Sequence, residues 1–174
     1  MIDQPKASKL AKEAFDQWQA GRHLQSEQLY EEALRLADPE HWGLSAYHGE
    51  YACVLNELGR HDQATEQLEK SLAVELAHKE PEGSPSVAIA RYFLADQLLR
   101  QGAPELALEA LAPSISHAPN DWPTRVAQAR ALFALKRTPE AKSAARLALA
   151  NAPTPKKAQE LEQELHEVLR APDA

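Results

Sequence analysis

The chain has 174 residues, 44% hydrophobic and 26% charged, and a formal net charge of −7, the composition of an ordinary globular protein. A single cysteine, Cys53, excludes an internal disulfide, and no apolar run approaches the roughly 20 residues of a membrane-spanning helix. Residues 1–12 carry no hydrophobic leader, so the expected location is the cytoplasm.

Charge is unevenly distributed. Residues 1–87 hold 16 acidic and 8 basic side chains, whereas residues 88–174 hold 10 and 11. Within residues 121–157, eight lysines and arginines face only Asp121 and Glu140, a local surplus that would attract an acidic surface.

Apolar residues follow helical spacing throughout, and no stretch reads as a strand. The chain divides into nine predicted helices, near 4–20, 24–37, 40–58, 62–78, 86–101, 104–117, 122–136, 139–151 and 155–170. Proline is tolerated in a first helical turn, where its missing N–H has no partner to lose, and a preceding Ser, Thr or Asp caps that end. Asp38-Pro39, Ser84-Pro85, Thr138-Pro139 and Thr154-Pro155 fit this pattern, and Ala103-Pro104 fits it without a capping side chain. Gly21, Gly59 and Gly102 supply the left-handed residue that closes a helix, a position lysine fills less well at Lys136. Pro113, inside the sixth helix, predicts a kink or an early end.

Small residues recur in register. Ala14, Ser26 and Ala33 are followed by Ala52, Ala64 and Ser71, by Ala95, Ala107 and Ser114, and by Ala129, Ala141 and Ala148. Every triplet is spaced 12 and then 7 residues. Ala and Ser together account for 41 of 174 residues, too few to fill all twelve slots by chance. A fixed period of small residues on paired helices indicates close backbone crossings in a helical repeat.

These triplets resemble the tetratricopeptide repeat. A larger residue lies between the last two small ones at Tyr30, Leu68 and Leu111, with Ala145 in the fourth, and Leu34, Leu72, Ile115 and Leu149 follow the third. Ala95 and Ala129 are 34 residues apart, the family's period, while the two earlier intervals are 38 and 43. The usual tryptophan of each first helix is replaced by Leu10, His48, Arg91 and Arg125. The resemblance implies an all-α, right-handed α-solenoid of four helix pairs, near 7–40, 41–80, 85–119 and 122–154, forming a single domain over 1–174. The last helix, 155–170, presents Ala158, Leu161, Leu165, Val168 and Leu169 on one stripe and glutamates elsewhere, as a capping helix should.

The family lines a concave groove with its first helices and holds a peptide segment or a helix of a partner protein there. Carried onto this chain, the groove comprises Phe15, Trp18 and Gln19, then Gly49, Cys53, Asn56 and Glu57, then Tyr92, Asp96 and Arg100, then Arg130 and Phe133, with Ala11, Ala46, Ile89, Phe93 and Val126 on the same lines. Aromatic and arginine side chains dominate such interfaces. Phe93 and Phe133 are equally suited to packing between repeats. The carboxylate clamp that family members use on chaperone tails has no counterpart, because those places hold Ala11, Phe15, Glu50, Ile89 and Phe93.

Catalytic and metal chemistry find no support in the pattern. There is no HExxH, CxxC or glycine-rich phosphate loop, no metal or other cofactor is expected, and Cys53 has no histidine arranged beside it in sequence. His23 and His61 fall in turn positions that packing explains. The expected function is therefore a non-catalytic protein-binding adaptor or scaffold. The alternatives are a dedicated chaperone or immunity partner of one cognate protein, a self-assembling module, or, less favoured by the overall acidity, a nucleic-acid binder using residues 125–157.

Overall fold

Ten helices and no strand form among the described residues, 1–172, of the computed structural model: α1 (Gln4–Gln19), α2 (His23–Leu36), α3 (Leu44–Glu57), α4 (His61–Ala77), α5 (Pro85–Arg100), α6 (Pro104–His117), α7 (Trp122–Ala134), α8 (Thr138–Ala150), α9 (Pro155–Glu164) and α10 (His166–Arg170). The chain resolves into two compact units, Met1–Glu80 and Pro81–Ala174. The boundary falls in the loop of residues 80–84.

In the first unit α1 packs on α2 and α3 on α4. Its triplets, Ala14, Ser26, Ala33 and Ala52, Ala64, Ser71, are all buried. Ser26 Oγ donates to the Ala14 carbonyl at 2.7 Å and Ser71 Oγ to the Ser45 carbonyl at 3.0 Å, so in these slots the hydroxyl ties one helix to the next. The two pairs are joined reciprocally. Tyr30 of α2 donates to Glu50 of α3 at 2.9 Å, Tyr51 of α3 donates to Glu31 of α2 at 3.2 Å, and the two rings stack at 5.9 Å. Ala7, Leu36, Ala37 and Leu44 make a further core cluster under Tyr47.

The second unit repeats the plan with α5 on α6 and α7 on α8. Ala95, Ala107, Ser114, Ala129, Ala141 and Ala148 are fully buried. Leu161 of α9, Val168 of α10 and Leu165 between the two helices close over the core formed by α7 and α8, leaving Glu160, Glu162, Glu164 and Glu167 outside. The single predicted capping helix is interrupted at Leu165 (φ −98°, ψ 13°), which gives ten helices where nine were expected. Its carbonyl still accepts from the Leu169 N–H, so the chain direction is kept.

Helix ends follow local chemistry closely. Asp3, Ser84, Asp121 and Thr154 accept from the N–H three residues on, as N-caps do. Gly21, Gly59 and Gly102 share φ +74°, and Lys136 takes the equivalent place at φ 60°. Three sequence expectations are corrected. The third helix begins at Leu44 and not near 40, because Asp38 Oδ1 accepts from Glu40 N–H and His41 Nδ1 from Gly43 N–H, turning the chain before it coils. Thr138 is the first helical residue and its side chain caps nothing, the N-cap being Arg137. Pro113 does not end α6 early, since the helix runs on to His117. There Arg91 Nη1 donates to the Ala110 carbonyl at 3.0 Å, a donor from outside the helix in the turn that proline disturbs.

The long intervals also have a physical origin. The turn of residues 37–43 accommodates the 38-residue spacing, and the 17-residue α4 with the turn after it accommodates the 43.

Candidate protein-binding faces

Each unit carries its own set of candidate residues. In the first, Phe15 and Trp18 of α1 meet edge to face with centroids 5.6 Å apart. Phe15 is exposed and Trp18 half-buried, while Gln19 and Glu57 are exposed. Gly49 and Cys53 are half-buried on α3, and a Cβ on Gly49 would meet Ser71 Oγ at 3.9 Å, an ordinary van der Waals contact, so a methyl group would fit there without strain. Asn56 has a structural task, bonding His61 Nδ1 at 2.9 Å across the α3–α4 turn. His61 itself is exposed, so the packing role expected of it is replaced by this bond. Ala11 is buried at 3% exposure and belongs to the core, not to a groove wall.

Electrostatics in this unit centre on Tyr30. Burial foremost, then Glu50, push its hydroxyl far above the usual tyrosine range, and burial also raises the Glu50 carboxyl. His48, in the place of a family tryptophan, is held below the usual histidine range by burial while bonded to Gln67 at 2.8 Å.

In the second unit a connected polar cluster forms. Asp96 of α5 accepts from Arg100 Nε at 2.9 Å and from Arg130 Nη1 of α7 at 3.2 Å, and Arg130 Nη2 donates to Glu164 of α9 at 2.5 Å. Tyr92 sits among them. Burial raises its hydroxyl first, with Asp96 adding to the effect. Beside it Phe93 is 48% exposed and Ile89 55% exposed, so Phe93 is a surface aromatic and not a packing residue. Phe133 packs, half-buried, against the α7–α8 core. Val126, at 2% exposure, is core.

Arg91 stands where the family has tryptophan, and its role was not foreseen. It is buried at 8% exposure and pairs in bidentate fashion with Glu82 at 2.8 and 2.9 Å. The loop of residues 80–84 is thereby fastened to α5 and α6. In the first unit buried Glu27 is similarly matched by Arg60.

No helix among the described residues is long and apolar enough to cross a membrane. No protein-family model matches the sequence, and no curated protein matches it. Solved structures do. A Q17M variant of a Podosopora anserina putative kinesin light chain with nearly identical TPR-like repeats superposes with a TM-score of 0.70 at 18% identity, covering 97% of each chain. BtubC (BKLC) from P. vanneervenii gives 0.72 at 19% identity over 93% of this chain and 80% of that one. MamA (41-end) from Desulfovibrio magneticus RS-1 gives 0.67 at 18% over 97% and 98%. This chain has the tetratricopeptide-repeat-like fold. It is an all-α helical-repeat solenoid, and at such identities the likeness concerns fold alone.

Proposed function

We propose that this tetratricopeptide-like chain is a non-catalytic adaptor that holds a segment or helix of a partner protein against the first helices of its pairs. The observation that carries the proposal is the α5 surface, where Ile89 and Phe93 stand in solvent next to Tyr92 and the Asp96–Arg100–Arg130–Glu164 cluster. Large apolar side chains exposed together beside a fixed polar rim are the makings of a protein contact. In the first unit Phe15 and Trp18 offer a second, smaller aromatic anchor. Arg100 remains 71% exposed while paired, so it can also meet a carboxylate from outside.

Affinity capture from native lysate tests this by comparing the wild type with Phe93→Ser and with Arg100→Glu, each checked for helicity by circular dichroism. A protein retained by the wild type and lost by Phe93→Ser supports the reading. Equal retention by all three refutes the α5 assignment. A mass that rises with concentration, without a foreign protein, would instead favour self-assembly.

A further inference from the structure

A cleft of about 370 Å³ opens in the second unit between α6 and α8, floored by α7. Leu108, Ile115, Leu132 and Leu147 give it an apolar lining, and Arg125 and Arg137 give it two cations. Its α7 residues lie on a different side of that helix from Arg130, because positions 128 and 130 differ by about 200° around the axis. It is therefore a second surface, independent of the α5 face.

The two cations differ in how they are matched. Arg137 is neutralised by Glu140 through bonds of 2.6 and 2.7 Å. Among the described residues Arg125 bonds neutral oxygens only, the Pro119 carbonyl at 2.8 Å and the Gln128 side chain at 2.7 Å. Three further arginines of this unit, Arg91, Arg100 and Arg130, meet carboxylates. A guanidinium has five donors, so Arg125 retains capacity after these two bonds. Burial holds it below the usual arginine range, the mark of a cation partly stripped of water. Leu147 is 39% exposed on the opposite wall. The surrounding segment, residues 121–157, carries eight basic and two acidic side chains.

We propose that this cleft docks an acidic amphipathic segment of a partner protein. A bulky aliphatic or aromatic side chain enters among Leu108, Ile115, Leu132 and Leu147, and an adjacent Asp or Glu meets Arg125. Desolvated charge and apolar fit then act together, so neither a plain acidic peptide nor a plain hydrophobic one suffices.

A displayed library of random peptides, panned on the full chain carrying Phe93→Ser to blunt the α5 face, tests this. Enriched peptides should pair Asp or Glu with Leu, Phe or Trp, and their affinity should fall at least roughly tenfold on adding Arg125→Glu or Leu147→Asn. Leu147 is partly exposed, so its variant keeps the fold if Arg125→Glu does not. No enrichment, enrichment of basic or neutral peptides, or affinity indifferent to both substitutions would overturn the proposal. So would self-association abolished by Leu147→Asn, which would give the cleft to a second copy, or RNA binding abolished by Arg125→Glu.

Discussion

Ser71 and Ser114 fill the same slot of successive triplets, yet replacing each with alanine should move stability in opposite directions. Ser114 is fully buried and its hydroxyl has no hydrogen-bond partner among the described residues. Leaving such a group dry and unpaired costs about 1–3 kcal/mol, which Ser114→Ala recovers. Alanine adds about 0.5 kcal/mol through its better helix propensity. Ser71 is buried as well, but its hydroxyl donates to the Ser45 carbonyl at 3.0 Å and lies 2.9 Å from Ser45 Oγ. Ser71→Ala forfeits that pairing and strands the Ser45 hydroxyl, a net loss of about 1 kcal/mol after the propensity gain. For a chain of this size each kcal/mol shifts the melting temperature by about 2–4 °C. Calorimetry and urea midpoints should show Ser114→Ala melting at least about 2 °C above wild type and Ser71→Ala about 3 °C below. Destabilisation by both would refute the argument that a hydroxyl in this slot helps only when it is bonded.

Three further outcomes follow from the fold. Lys136→Gly should raise stability by up to about 1 kcal/mol, since φ 60° costs a side-chain-bearing residue about 1–2 kcal/mol and glycine's unfolded-state entropy returns part of it; Gly102→Ala, at φ +74°, should do the reverse. Glu82→Ala should cost about 2 kcal/mol by denaturant unfolding, less than a fully buried pair because Glu82 is 32% exposed, while Arg91 is left buried without its carboxylate. Burial holds the folded His48 imidazole below the usual histidine value of about 6.5, so the unfolded chain binds its proton first. Its contribution is present above about pH 6.5 and is lost as pH falls from there through the lower folded pKa. Unfolding free energy measured between pH 7.5 and about 5 should therefore decline less for His48→Gln than for wild type.

The repeat plan was legible because it rests on local, periodic features. All twelve small residues of the triplets are buried, since close helix crossings leave no other choice at those positions. Most helix ends could be read from proline, capping side chains and glycine, because a few adjacent residues determine them. The exceptions have the same locality but compete: Asp38 and His41 spend their acceptors on turns, and α3 starts late. Candidate binding residues were harder to read. Ala11 and Val126 share the spacing of surface residues but are covered by the core, and Phe93, equally suited to packing, is left in solvent. Arg130 was read as open to a partner, but it is already engaged by Asp96 and Glu164, each 34 residues away in sequence. Buried Arg91 depends likewise on a loop carboxylate nine residues off. Asp96, Arg130 and Glu164 are spaced by the 34-residue repeat, so register brings them to equivalent places. Spacing alone does not say that they bond one another, and the Arg91–Glu82 pair has no period at all. Likewise the neutral surroundings of Arg125 are visible only once its neighbours are placed.

The central claim is that partner protein contacts the first helices of the pairs. Photo-crosslinking tests it most directly, with a benzophenone side chain placed at Phe93 on α5 or, as the control, at Leu24, which is 62% exposed on α2. In native lysate the account predicts a discrete crosslinked species from position 93 that is absent from position 24. Crosslinking from position 24 alone would contradict it.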